Sequence, residues 1–341
     1  MYLEHFGFEI EPFEIAPNSH FLYLSRAHKK AFTYLNYALW NKDAFTLLTG
    51  GIGSGKTILL QHLLKTMPNT AEVVTLYQTQ LSPYELLYAI AEQLGLVSEE
   101  RMQKPKLFRI INTYLLESKK NVVLIIDEAQ SFSRETLEEL RLLAGLDIIN
   151  AKTNINIILC GQPELKQIVE SGALEQLNQR IKLRFHLTHL DFNETKEYIS
   201  FRVQKAGQKL EIFTMDAIKR IYDVTNGLPR LINVIADTAL TCGYADGFYA
   251  ISSKQVEEAV KELGWDMHPP QLSGQDSRRV SSNVISLQTN SEYSPENIEN
   301  LEAIAKRIEH HMASIASSLK QLALNKVSDA SDAKENSKNI I

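Results

Sequence analysis

Between Phe45 and Leu64 the chain reads FTLLTGGIGSGKTILLQHLL. An apolar run stops at a cluster of glycines, and Lys56 and Thr57 then open an amphipathic segment. A strand, a tight glycine turn and a helix in immediate succession commit this part of the chain to a βα unit. The same alternation continues downstream. Candidate strands are 44–49, 72–77, 121–126, 154–160 and 182–188, with candidate helices at 56–66, 83–94, 106–117, 134–143 and 164–169. The runs VVLII and INIIL are almost continuously apolar, as expected where helices cover both faces of a parallel sheet. The expected fold class is therefore α/β, with a parallel five-stranded sheet.

The glycine cluster has a chemistry of its own. Gly50, Gly51, Ile52, Gly53, Ser54, Gly55, Lys56 and Thr57 satisfy the Walker A spacing of glycine, four residues, then Gly-Lys-Ser/Thr. Glycines let backbone N–H groups converge on phosphate oxygens, and the helix opened by Lys56, Thr57 and Ile58 adds the positive end of its dipole. Lys56 would reach the β- and γ-phosphates, and Thr57 would ligate Mg²⁺. The expected cofactors are ATP and Mg²⁺, with GTP not distinguished by the motif.

Three further words complete that site. In VVLIIDEAQ, an apolar strand ends in two carboxylates: Asp127 at the sheet edge to hold the Mg²⁺ shell, and Glu128 to orient and deprotonate a water. In LCGQPEL, Gln162 follows the next strand, where a polar side chain can project between the Asp127 carboxylate and the γ-phosphate. In LNQRIKLRFHL, Arg180 and Arg184 bracket a strand start, and either could serve a neighbouring subunit's γ-phosphate or be a solvated surface residue. Arg230, in NGLPRLIN, sits in the first turn of a later helix and could reach the nucleotide from there.

Residues 1–24 are turn-rich and aromatic, with Pro12 and Pro17 among Phe6, Phe8, Phe13, Phe21 and Tyr23; helical spacing begins after Ser25, a candidate N-cap. The nucleotide-binding core with this lead-in is expected over 1–190. Strand signals stop after Leu190, and segments 193–206, 214–225, 229–243 and 252–263 read as four helices, with Thr214 and Ser252 as caps. They would make a helical lid over 191–265. Residues 266–295 are rich in Ser, Asn, Gln and Pro and read as a flexible linker. Over 296–325 a heptad stripe, with Ile298, Ala305, Met312 and Leu319 three residues ahead of Leu301, Ile308, Ile315 and Leu322, reads as a coiled-coil seam. Residues 326–341 read as a disordered tail.

Composition narrows the partners. A net charge of -5 disfavours a protein that coats nucleic acid. Cys160 and Cys242 form no CxxC or His-rich cluster, so disulfide and zinc chemistry are not expected. The opening MYLEHFGFEIEPF lacks a basic segment followed by an apolar one, and no apolar run reaches the roughly 18 residues of a membrane span. The expectation is a soluble, cytoplasmic protein, peripheral to a membrane only through partners.

Taken in order, FGFEIEPFEIAPNSHFLYLSRAHKKAFTYLNYAL, GGIGSGKT, LIIDEAQ, LEELRLL, GQPEL, LNQRI and GLPRLIN resemble the AAA+ ATPases of the ExeA type. These include the ATPase component of bacterial general secretion and ATPases of mannose-sensitive pilus and exosortase-linked exopolysaccharide loci. The resemblance covers residues 1–265. It implies an ATP-hydrolysing core and lid, with Lys56, Thr57, Asp127 and Glu128 as the centre, Gln162 as sensor 1 and Arg230 as sensor 2. It also implies that the segment holding Tyr23 and Leu24 flanks the adenine, and that nucleotide lies between subunits of a ring or filament. Such proteins often carry Ser-Asn where this chain has Ala144 and Gly145. The secretion members continue into a membrane span and a peptidoglycan-binding region, where this chain has its polar linker and heptad stripe.

The functional expectation is hydrolysis that drives or regulates assembly of a secretion, pilus or exopolysaccharide export apparatus, with a protein partner recruited through the heptad helix. One alternative is a transposition regulator that polymerises on DNA, which the dispersed basic residues disfavour. The other is an ATP-switched scaffold with slow hydrolysis.

Overall fold

The computed structural model describes residues 2–266, except 17, 42–44, 68–70, 78–79, 98–101 and 145–154. The linker, heptad segment and tail expected beyond residue 266 lie outside the described residues, as does Gly145. The described residues belong to one compact unit.

The strands are β1 (Phe45–Gly50), β2 (Ala71–Leu76), β3 (Asn121–Ile126), β4 (Ile155–Gly161) and β5 (Ile181–Leu187). They form one sheet in the order β2-β3-β4-β1-β5, every pair parallel. β1, at the centre of the nucleotide motif, therefore lies between β4 and β5. Helices α1 (Tyr2–Phe6) and α2 (Arg26–Asn41) precede β1, and α3 (Lys56–Thr66) follows it. Helices α4 (Pro83–Gln93) and α5 (Lys104–Glu117) join β2 to β3, and α6 (Arg134–Ala144) follows β3. Helices α7 (Pro163–Glu170) and α8 (Glu175–Arg180) join β4 to β5.

The apolar runs behave as double-sided strands should. Alternate residues of β3 enter two different clusters: Val122, Leu124 and Ile126 pack with α4, α5 and α6, while Val123 and Ile125 pack with α2 and α3. β5 is an edge strand, and only Ile181 and Leu187 at its ends are fully buried. On α3, Leu59 and Leu63 stand one turn apart and are fully buried beside Leu48 of β1. Each such side chain contributes about 1.5–3 kcal/mol. This face holds the glycine turn onto the sheet.

Beyond Leu190 come α9 (Phe192–Lys205), α10 (Met215–Thr225), α11 (Pro229–Ala245) and α12 (Ser253–Glu262). Their cluster also contains Phe6, Phe8, Phe13 and Phe21 from the lead-in. Sequence alone attaches that lead-in to the nucleotide-binding core, whereas its aromatic rings pack with the helical lid.

Several local expectations need adjusting. α5 begins two residues earlier than periodicity indicates, because Pro105 sits in its first turn, where a missing N–H costs nothing. α1 and α8, of five and six residues, are too short to leave a periodic signal. Thr214 occupies the N-cap of α10, but its hydroxyl donates to Ile251 O at 3.0 Å instead of capping. Ser25 does cap α2, accepting from His28 N at 3.2 Å, and Ser252 forms a capping box with Gln255.

Candidate functional site

β1 delivers the chain to the glycine turn, and α3 carries it away with its N-terminus aimed back at the turn. Gly53 and Gly55 hold φ values of +81° and +93°, left-handed conformations that side chains resist. Lys56 is buried, and its Nζ donates to Gly50 O at 2.8 Å and Gly51 O at 3.0 Å. The ammonium is thus folded over the phosphate loop. Ser54 Oγ is buried there without a hydrogen-bond partner.

Both carboxylates arrive from the end of β3, two places from β1 in the sheet. Asp127 follows β3, is buried, and accepts a 2.9 Å hydrogen bond at Oδ2 from Thr57 Oγ1. Glu128 comes next in a left-handed backbone conformation, with φ 54° and ψ 36°. That conformation costs a non-glycine residue roughly 1–2 kcal/mol and turns the chain sharply off the strand. The Glu128 carboxylate lines the cleft and accepts from Gln130 Nε2 at 2.6 Å and Gln162 Nε2 at 3.3 Å. Cys160, next to the end of β4, is buried. Burial first, and then the charge of Asp127, push its thiol well up, so it stays neutral.

A cleft of about 390 Å³ lies over the glycine turn. Ile52, Gly53, Ser54, Gly55, Lys56, Thr57 and Ile58 form its floor, and Arg230 enters from the first turn of α11. The opposite wall comes from the lead-in, including Glu14, Ala16 and Tyr23, and from Tyr198, Arg202 and Asn233 of the lid. Tyr23 is fixed by a 2.7 Å bond from its hydroxyl to Glu197 and by edge contact with Tyr198.

Not every expected residue meets the cleft. Leu24 packs with the apolar cluster of α2 and α3 rather than lining the cavity. Gly50 and Gly51 contribute their carbonyls to Lys56, and Gln162 donates to Glu128. Arg180 donates to Arg141 O at 3.2 Å, while Arg184 donates to Asn178 O at 2.7 Å and pairs with Glu170 at 3.8 Å. β5 runs parallel to β1, with Ile181 opposite Phe45 and Leu187 opposite Gly50. Arg180, just before β5, therefore sits at the sheet end remote from the glycine turn of its own chain, while Arg184, opposite Leu47, lies midway along the strand.

Sequence reasoning overlooked two contributors. His28 of α2 is buried, with Nε2 at 3.0 Å from Ser54 O and Nδ1 at 2.7 Å from Ser25 Oγ. A neutral ring donating to Ser54 O and accepting from Ser25 satisfies both bonds, and burial lowers its pKa below 6.5. Gln130 is the other, two residues beyond Glu128 in DEAQ. The helical spacing of α2 gives His28 no distinguishing signal, whereas Gln130 stands in a word already singled out.

The donors suit a nucleoside triphosphate with Mg²⁺. A hard divalent cation prefers oxygen ligands of the Thr57 and Asp127 kind, and the phosphate loop supplies free backbone room and an unpartnered hydroxyl. Among the described residues, no group of three or more His, Cys, Asp or Glu is arranged to hold a metal. No helix among them is long and apolar enough to cross a membrane.

Residues 41–169 match the family model of the AAA domain. General secretion pathway protein A of Aeromonas hydrophila is 37% identical over 266 residues, 77% of this chain and 48% of that protein. The Mu-like prophage FluMu DNA transposition protein B of Haemophilus influenzae is 32% identical over 123 residues, 36% of this chain and 39% of that protein. The chain thus spans about half, or less, of the length of these curated relatives. Among solved structures, Cdc6p of Pyrobaculum aerophilum has the same fold, with a TM-score of 0.59 and 17% identity over 72% of this chain and 70% of that one. The P-loop, the DEAQ strand end and the helical lid belong to one fold, and the chain carries an AAA domain and is similar to general secretion pathway protein A.

Proposed function

We propose that this chain binds ATP with Mg²⁺ in the cleft and hydrolyses it to ADP and phosphate. The observation that carries the reading is the convergence of Thr57, Asp127 and Glu128 beside the Lys56 loop, with Thr57 Oγ1 only 2.9 Å from Asp127 Oδ2. Thr57 and Asp127 would hold Mg²⁺, which when bound neutralises charge on the β- and γ-oxygens. Lys56 swings from the Gly50 and Gly51 carbonyls to the phosphates, and Gly53 and Gly55 present backbone N–H groups to them. Glu128 orients and deprotonates the attacking water. Arg230 adds positive charge from the lid side, and Tyr23 flanks the base.

Arg180 and Arg184 point to self-association. With their guanidinium groups held at Arg141 O and Asn178 O, either one could serve a neighbouring copy's γ-phosphate in a ring or filament. The cellular role we infer is assembly or regulation of a secretion or related export apparatus, supported by the identity with general secretion pathway protein A. The partner would engage residues 296–325. The shorter match to a DNA transposition protein B supports DNA binding less strongly.

Phosphate release by the purified chain, with and without Mg²⁺, tests the reading. Glu128→Gln should bind ATP yet release phosphate at least about 100-fold more slowly. A wild-type chain that binds ATP without turning it over removes hydrolysis from the proposal. A gel shift with ATP over a salt series separates the DNA alternative, because phosphate contacts weaken steeply with salt.

A further inference from the structure

Glu128 is proposed above as the base, and this inference rests on that reading. A base must hold one lone pair toward the water, yet Glu128 has three rotatable side-chain bonds and a strained backbone. Two amides restrain it. Gln130 Nε2 donates to Glu128 Oε2 at 2.6 Å, and Gln162 Nε2 donates to the same oxygen at 3.3 Å. Among the described residues Oε1 receives no hydrogen bond, and Glu128 lines the cleft.

Gln130 is itself locked. Its Oε1 accepts from the backbone N–H of Gln162 at 3.0 Å. One end of the amide therefore faces a donor and the other an acceptor, which fixes its orientation unambiguously. Gln162 is the N-cap of α7, so its N–H sits at the exposed end of a helix where a partner is otherwise lacking. Gly161 makes room for the arrangement: a Cβ there would lie 2.4 Å from Gln130 Oε1. A closed ring of hydrogen bonds, through the side chains of Glu128, Gln130 and Gln162 and the Gln162 backbone N–H, thus joins the end of β3 to the end of β4.

We propose that Gln130 is the positioning residue for Glu128. It clamps Oε2, leaves Oε1 for the water, and ties the base to the β4 end, so that Gln162 and Glu128 move as one unit. Glu128 is among the described residues that line the cleft, and Gln130 is not. Its removal should therefore slow turnover and leave binding intact.

The test uses the full chain, with ATP turnover and the Kd of a fluorescent ATP analogue measured side by side. Gln130→Met, of similar shape but without the amide, should lower kcat at least tenfold with Kd within twofold of wild type. Gly161→Ala, which pushes on Gln130 Oε1 while every polar group remains, should lower kcat in the same direction. Gln130→Glu supplies the discriminating readout. Ionised, it repels Glu128; protonated, it can donate to Oε2 and still accept from Gln162 N. Its kcat relative to wild type should rise as pH falls, which a merely structural defect would not produce. Wild-type turnover matched by Gln130→Met, or a loss of Kd parallel to kcat, overturns the inference and leaves the hydrolytic reading standing. A wild-type chain without turnover overturns both.

Discussion

Gly53 of the phosphate loop and Arg230 of α11 meet so closely that a Cβ on Gly53 would lie 2.4 Å from Arg230 Cβ. Gly53 also holds φ +81°, so an alanine there meets backbone strain as well as a clash. The contact joins the loop to the lid without any polar bond, and only the missing side chain permits it. Gly53→Ala should lower the thermal midpoint and weaken ATP at least about tenfold, a loss of roughly 1.4 kcal/mol in binding. Adding Arg230→Gly removes the clash and leaves the strain. The double variant should therefore recover part of the stability lost by Gly53→Ala. Additive losses would show that the two residues do not share this space.

A second joint lies where β5 leaves the sheet and α11 begins. Asn226 and Gly227 are both left-handed, with φ 49° and 72°. A Cβ on Gly227 would lie 1.9 Å from Leu190 O, a backbone atom that cannot turn aside, while Leu190 N donates to Gly227 O at 3.0 Å. Gly227→Ala should cost more than about 3 kcal/mol in urea denaturation, because strain and overpacking add. Asn226→Gly, in open left-handed space, should change stability by less than about 1 kcal/mol. The contrast between neighbouring positions is the check.

His28 makes the phosphate loop sensitive to acid. Burial lowers its pKa in the folded chain below the ordinary 6.5, so the unfolded chain binds the proton more readily. Stability from the neutral ring is fully present above pH 6.5 and is lost as pH falls through that value toward the lowered one. In the charged ring Nδ1 would donate to Ser25 Oγ instead of accepting from it. Urea midpoints measured from pH 7.5 down to 5 should fall more steeply for wild type than for His28→Gln. Parallel slopes would mean that the ring does not titrate differently on folding.

The sheet and the phosphate loop were legible because their signals are local. Val122–Ile126 is an unbroken apolar run, 155–160 is interrupted only by Asn156, and Gly50–Thr57 carries its turn, its cation and its helix start in consecutive residues. Asp127 and Glu128 follow directly from a strand end. What was not legible depends on which strands become neighbours. Gln130 acquires its place only because β4 lies beside β3 and brings the Gln162 N–H within 3.0 Å. The lead-in reads as part of the core in sequence because it abuts α2, whereas the large apolar surface that buries Phe6, Phe8, Phe13 and Phe21 belongs to helices almost two hundred residues away. Arg180 and Arg184 were legible as residues, but one chain supplies no phosphate for them to meet.

Arg202 of α9 is what fastens that lead-in, although it has no carboxylate partner among the described ion pairs. Its guanidinium is buried and donates to Pro12 O at 2.5 Å, Glu14 O at 3.1 Å and Tyr198 Oη at 2.8 Å. The same group lies over the rings of Phe21 at 4.6 Å, Tyr198 at 5.7 Å and Phe13 at 5.9 Å. A fork of donors and a flat cation are both needed, and lysine supplies neither. Removing the guanidinium takes the donor from the carbonyl of buried Pro12, at about 1–3 kcal/mol, whereas Glu14 O keeps Asn233 Nδ2 at 3.4 Å. Arg202→Lys and Arg202→Met should both destabilise the chain by at least about 2 kcal/mol. Both should also expose the Phe, Tyr and Leu sites of residues 1–24 to chymotrypsin well before the sheet is cut. Because Glu14 and Ala16 wall the cleft, ATP affinity should fall with them, even though neither substitution touches the phosphate loop. A loss of stability with the lead-in still protected would separate Arg202 from that segment and leave its aromatic packing as the tether.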